Sequence, residues 1–219
     1  DTDAPRVEEF NLQSTYSDKS YIRQILAYES FALAGAASSN AFALRVEQNG
    51  EFFSLANFIE QVDETYLERN ELDSDGALYK MFNQLTSSTS GVEKKTRLDE
   101  DNSDLQALVI GVSPSNADRD IYLFDNVDIA SVINHLAVQV IIHNNDQVAK
   151  NYYLYRDTEG TGEWRFLPWD LDLSMGRNYT LEGGVLNDTM WYDHDPQSHP
   201  LFGDSDHQKI DNLWNRLTD

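Results

Sequence analysis

The chain has 219 residues, 40% of them hydrophobic and 11% aromatic, enough to bury a substantial core as one large domain or two small lobes. With 38 acidic residues against 16 basic ones the net charge is −22, which disfavours nucleic-acid backbones and anionic lipid surfaces as partners. There is no cysteine, so disulfides, thiolate zinc sites and cysteine nucleophiles are excluded, and no apolar run reaches the ~18 residues of a membrane span. The acid excess suits metal ions or basic partners, and adaptation to salty surroundings accounts for it equally well. The chain opens on Asp1 without a Met and stops on Asp219 inside a helix-like run, so it is expected to be a fragment or a processed form.

Residues 1–19 are polar and irregular. Ser17, Asp18 and Ser20 offer helix N-caps, and Ile22, Ile25, Leu26, Glu29 and Leu33 then recur at the spacing of one helical face, up to Gly35. AFALRVEQ and EFFSLANFIE flank Asn49-Gly50, a pair that readily takes the positive φ a tight hairpin needs. VDETYLERN reads as a short helix and ELDSDG as a turn. LYKMFNQL fits strand or helix, and residues 86–104 read as a surface loop. Asp104 to Ile110 predicts a short helix. Ile129, Val132, Ile133, Leu136, Val140 and Ile141 define a longer amphipathic one over about 127–142. After the polar HNNDQVAKN, NYYLYR and EWRFLPW flank DTEGTG as a second hairpin. Residues 176–207 read as a long loop, and KIDNLWNRL begins a last helix. No internal repeat is found, and the order of elements is α+β rather than alternating βαβ.

Chemistry concentrates around the second hairpin. Asp146 and Asn151 are five apart, with a helix before them and the hairpin after, and Pro168-Trp169-Asp170-Leu171-Asp172 follows the hairpin's second strand. The spacing alone arises by chance in so acidic a chain. With helix, hairpin and a second aspartate it matches the parts of phosphoryl transfer: a loop Asp to accept the substrate hydroxyl proton, a loop Asn on metal and a further Asp on metal. Mg²⁺ asks for such hard oxygen ligands and keeps several waters. Glu29, on the apolar side of its helix, needs a cation or donors to meet it. Either the helix rolls enough to wet it, or Arg23 or a backbone group satisfies it, or it pairs with a catalytic lysine.

NYYLYRDTEGTGEWRFLPWDLDLSMG resembles the signature of the spore coat protein H (CotH) kinase family, a group of atypical secreted or surface-associated protein kinases. FNLQSTYSDKSYIRQILAYESFALAG, NGEFFSLANFIEQVDETYLERN and GALYK are similar to three further family segments in the same order, so the resemblance runs from about Phe10 to Leu217. It implies an atypical protein-kinase-like α+β fold, with a small hairpin-containing lobe over 1–85 and a mainly helical lobe over 86–219, truncated at both ends. It further implies transfer of the ATP γ-phosphate, with Mg²⁺ or Mn²⁺, to Ser or Thr of extracellular or spore-surface proteins. Matched by position, Asp146 is the catalytic-loop aspartate and Asn151 its metal-binding asparagine. Asp170 stands for the aspartate of the DFG motif, Asp172 is a second metal candidate, and Glu29 is the helix glutamate that pairs with a nucleotide-binding lysine. Phe58 to Asp63, with Glu60 and Asp63, is the hinge against adenine through backbone groups.

The chain departs from the family at several points. Family members carry an upstream segment with Arg-Gly-x-Ser-Ser and Lys-Lys-Ser, this sequence begins after that point, and none of the six lysines present is read as a substitute. Lys150, between Asp146 and Asn151, is the one placed to steady a γ-phosphate, or else sits in solvent. Asn145 replaces the arginine that precedes the catalytic aspartate in typical kinases, and Gly does not follow Asp170. A catalytically degenerate kinase-like module serving as a surface scaffold is the alternative, and a glycosidase-like carboxylate pair is a third reading supported only by the abundance of acid. His194, His199 and His207 among aspartates match no zinc spacing. The acidic run 99–104 lacks the Gly and distal Glu of a calcium loop, and residues 73–76 read as a turn. Trp164, Trp169, Trp191 and Trp214 read as packing groups before a sugar platform. His143 ends the long helix, where a cation suits the dipole, and a structural role is expected for it rather than a catalytic one.

Overall fold

The computed structural model describes residues 9–144 and 150–175, with the backbone strands Asn178–Tyr179 and Leu186–Asn187 beyond them. Strand β1 (Phe10–Gln13) leads through a turn into helix α1 (Arg23–Leu33). Asp18 organises that turn. Its carboxylate accepts the N–H groups of Ser20, Ile22 and Arg23 and pairs with the Arg23 guanidinium at 2.8 Å. These bonds satisfy donors that a helix start leaves open. Burial pushes the Asp18 carboxyl up, but the hydrogen bonds from Ser20 and Arg23 outweigh it and hold its pKa below the usual range.

The helix turns a different face inward from the one its hydropathy predicts. Gln24, Ala27, Tyr28 and Phe31 are buried, whereas Ile22, Leu26 and Glu29 are exposed and Leu33 is 89% exposed. Gly35 then takes a φ of +73° and ends the element.

Strands β2 (Ala41–Gln48) and β3 (Glu51–Glu60) form the expected hairpin, with Asn49 at φ +54° and Gly50 at φ +84°. With β1 they make an antiparallel sheet in the order β1-β3-β2. Its inner face presents Ile59 to α1, and its outer face stacks Phe58 on Phe42 and on Phe10. Helix α2 (Glu64–Arg69) follows, capped by Asp63, whose carboxylate accepts the Tyr66 N–H at 3.0 Å.

The second sheet is assembled from distant segments. Strand β4 (Ala77–Met81) pairs with β5 (Val92–Lys94) on one side and with β6 (Tyr152–Arg156) on the other, and β7 (Trp164–Pro168) closes the order β5-β4-β6-β7. Both of its faces are covered. Leu78, Tyr153, Tyr155 and Leu167 join Tyr28, Phe31, Ile59 and Tyr66 in one core. Tyr79, Met81, Tyr152, Leu154 and Trp164 join Leu105, Leu108 and Val132 in another. The second core is walled by α3 (Ser103–Gly111), α4 (Arg119–Asn126) and α5 (Ile129–Ile141). A strand pair, β8 (Asn178–Tyr179) with β9 (Leu186–Asn187), lies within the segment expected as loop.

The architecture of the described residues is therefore mixed α and β, with two main antiparallel sheets and five helices. ALYKM is strand, because every position but Lys80 is buried between two cores. Residues 86–104 are not all loop, since they contain β5 and the start of α3. Helix α4 has no counterpart in the sequence reading. In α5 the inward residues are Val132, His135, Val138 and Gln139, leaving Ile133 and Ile141 exposed. His135 and Gln139 take core positions because they bond to one another at 3.3 Å and His135 packs between Phe31 and Phe166. Hydropathy cannot anticipate that arrangement.

Candidate functional site

The β6–β7 hairpin has the register Tyr152↔Pro168 through Arg156↔Trp164, so Asn151 and Trp169-Asp170 lie together at its open end. Asn151 has φ +68° and Asp170 φ +54°. Left-handed backbone is uncommon outside glycine, is tolerated best by Asn and Asp, and gathers at functional sites. Both residues leave the strand alternation just where the ladder stops.

The hairpin is bolted to α5 at each end. The Asp128 N–H donates to the Trp164 carbonyl at 3.0 Å, the Asp128 carboxylate pairs with Arg165 at 3.0 Å, and it also caps α5 through the Ser131 N–H. At the far end the Met175 N–H donates to the Ile142 carbonyl at 2.6 Å. Asn144, buried beyond α5, donates to the Gln139 side chain at 2.9 Å. The residues on both sides of the D-x-x-x-x-N segment are thus fixed; Asp146 itself lies outside the described residues.

Asp172 is held from across the molecule by the Ser17 hydroxyl, which donates to its Oδ2 and ties the turn before α1 to the segment after β7. Burial pushes the Asp172 carboxyl up, opposed by the Ser17 bond and by the charge of Lys150. Lys150 is exposed. On α1 it is Tyr28, not Glu29, that reaches this region. Burial first and the Asp170 charge second push its phenol well up, so it stays protonated. Trp169 is 8% exposed and meets Tyr153 edge-on at 5.5 Å. The Lys80 ammonium lies 4.8 Å from the Trp169 ring centre. Sequence reasoning missed Tyr28 and Lys80. A lysine inside the otherwise apolar ALYKM was the available signal for the second.

The other expected residues fall elsewhere. Glu29 is exposed rather than facing the core, and Arg23, a possible partner, is engaged by Asp18. Glu60 pairs with Arg69 and accepts the Asn40 N–H at 2.8 Å. Asp63 is the α2 cap, its carboxyl raised chiefly by burial. Phe42, Phe58, Glu60, Gln61 and Asp63 line a cavity of about 550 Å³. Phe58 and Glu60 point there from the face of β3 opposite to Ile59, which packs in the core with Trp169.

Among the histidines, His143 is left-handed at φ +48°, and burial lowers its pKa. Trp164 is a core residue, the acidic run 99–104 leads into α3 with Asp101 accepting the Ser103 N–H, and residues 73–76 form a turn with Asp73 accepting the Asp75 N–H. His194, His199, His207, Trp191 and Trp214 lie outside the described residues.

Among the described residues no three His, Asp or Glu side chains form a metal cage. The hairpin mouth offers an amide oxygen and the nearby carboxylates of Asp170 and Asp172. A hard, incomplete oxygen set of this kind fits a divalent ion that keeps waters and takes phosphate oxygens, as Mg²⁺ or Mn²⁺ does, and is poor for softer metals.

The model of the CotH kinase protein family matches residues 3–217, and the chain belongs to that family. The inner spore coat protein H of Bacillus subtilis (strain 168) is 31% identical over 185 residues, 78% of this chain and 51% of that protein, so the chain spans about half the length of this relative. No helix among the described residues is long and apolar enough to cross a membrane.

Proposed function

We propose that the intact protein is a metal-dependent protein kinase with a kinase-like fold, which transfers the γ-phosphoryl group of ATP to Ser or Thr hydroxyls of surface proteins, spore-coat proteins among them. The placement of Asn151 and Asp170, both left-handed, at the open end of one hairpin carries this reading. Family membership and a relative named as a spore coat protein support it, and the latter favours a spore-surface location.

Transfer of this kind rests on positioning and charge neutralisation. A bound Mg²⁺ or Mn²⁺ would supply that neutralisation across the nucleotide phosphates. Asn151 and Asp170 would hold it by hard oxygens, with Asp172 oriented by Ser17 as the further carboxylate. Tyr28, kept protonated by burial, has a proton to donate beside Asp170. Asp146 would orient the attacking hydroxyl and take its proton. Lys150 would lie on the phosphate side of the loop, Glu29 would serve a lysine from outside 1–219, and the backbone of Phe58 to Asp63 would meet adenine.

The test separates the roles. Asp146→Ala should abolish transfer of labelled γ-phosphate to a Ser/Thr protein acceptor yet keep metal-dependent ATP binding, whereas Asp170→Ala should lose that binding. Full activity in both variants would overturn the assignment. Absence of any ATP-dependent thermal shift in the intact protein with Mg²⁺ or Mn²⁺ would favour the scaffold role instead.

A further inference from the structure

Resting on the phosphoryl-transfer reading, we infer that Lys80 is a nucleotide-phosphate ligand, supplied by the second sheet and distinct from the helix-paired lysine that the family resemblance implies. Lys80 is the one incompletely buried position of β4, and it projects on the side of Leu78 and of its cross-strand partner Tyr153, toward the first core. Three aromatic rings surround its ammonium: Trp169 at 4.8 Å, Phe82 at 5.2 Å and Tyr153 at 5.7 Å from the ring centres. Trp169 immediately precedes Asp170, so the cage opens beside the proposed metal ligand. The Asp170 charge is close enough to act on Lys80.

No hydrogen bond or ion pair to Lys80 is present among the described residues. That is unusual in a chain with 38 carboxylates and 16 cations. The neighbouring lysines are engaged: Lys95 pairs with Glu93, and Lys94 donates to the carbonyls of Glu100 and Asp101. Glu93, opposite Lys80 in the sheet, is the nearest alternative partner and bonds to Lys95.

Aromatic faces stabilise a cation without accepting its conventional hydrogen bonds. The rings therefore position the ammonium and leave its three donors for an anion. Burial lowers the pKa of Lys80, while Glu93 and Asp170 raise it and Lys95 lowers it further. A phosphate arriving with its metal on Asp170 would complete the missing half of the pair and favour the charged form.

Calorimetric titration of the intact protein with Mg²⁺ plus ATP, ADP or adenosine tests the inference. Lys80→Met, which keeps the length of the stem, should raise the Kd for ATP and ADP about tenfold or more and leave adenosine unchanged, and Lys80→Arg should recover most of the loss. In the unmodified protein, ATP but not adenosine should protect Lys80 from acetylation, read by peptide mass spectrometry. That measurement decides the matter even if the methionine variant fails to fold. Unchanged ATP affinity in Lys80→Met, or equal losses for ATP and adenosine, would overturn the role of Lys80 while leaving the kinase reading standing. Failure of the unmodified protein to bind ATP with either Mg²⁺ or Mn²⁺ would overturn both.

Discussion

The two sheets of this molecule are built on opposite plans. The β1-β3-β2 sheet has one core face and one wet face, and Phe52, Phe53 and Leu55 remain exposed along β3. The β5-β4-β6-β7 sheet has core on both sides, and four of the five residues of β6 are fully buried. The proposed catalytic elements sit at the end of the second. A hairpin gripped on two faces and tied to α5 at both ends holds its terminal residues in geometries a half-solvated sheet would let relax. The proposed site thus stands at the end of the more deeply buried of the two sheets.

The largest expected effect is on chemistry. Asp170→Ala should reduce transfer at least about a hundredfold, since a metal contact contributes several kcal/mol to the transition state. Asp170→Asn should barely move Tm, because asparagine tolerates the same left-handed backbone and the residue lies beyond the last ladder pair. A large fall in Tm would mean that Asp170 supports the sheet rather than the metal. Next comes packing in the doubly covered sheet. Leu154→Ala should cost about 2–5 kcal/mol, as buried leucine truncations do, measured by urea unfolding. A loss under about 1 kcal/mol would show that the second core is less tightly packed than the contacts imply.

A third difference is pH dependence. Burial alone pushes His135 down to about 3, so the folded state resists protonating it while the unfolded state takes up a proton near 6.5. The stability from a neutral His135 is present above 6.5 and lost as pH falls toward the folded value, at about 1.4 kcal/mol per pH unit once the unfolded state is protonated. His135→Gln should flatten that slope between pH 6 and pH 4, and an unchanged slope would refute the assignment. Asp18 acts further down. Its depressed pKa gives stability present above about 3.8 and lost as pH falls through the folded value, so Asp18→Asn should blunt the response only in that lower range. The smallest effect belongs to the exposed start of β3. Phe53→Ser should change stability by no more than about 0.5 kcal/mol, and a larger loss would place a partner or further chain against it.

What the sequence disclosed follows the same division. The hairpins were legible because Asn49-Gly50 and the DTEGTG turn mark them locally. The Asn151 and Asp170 pair was legible because it lies at the two ends of one such hairpin. Helix orientation was not. Gln24 in α1, and His135 and Gln139 in α5, take inward positions that hydropathy assigns to Ile22, Leu26 and Ile133, a choice made by tertiary partners rather than by periodicity. Glu29 is wetted by that same choice of face, one of the outcomes its place on the helix allowed. Lys80 carried a local signal, a lysine in an otherwise apolar strand, but its meeting with Trp169 depends on the β4–β6 register, which joins segments more than seventy positions apart.

Pro168 gives the hairpin a last property. Having no N–H, it can supply no further rung, so the ladder ends at the Tyr152 pairing and the chain is released into the turn that carries Asp170. The orientation of that carboxylate is then settled when the protein folds and not when an ion arrives. Little ordering entropy is left to be lost on association, and metal uptake should proceed in a single kinetic phase whose rate rises linearly with ion concentration.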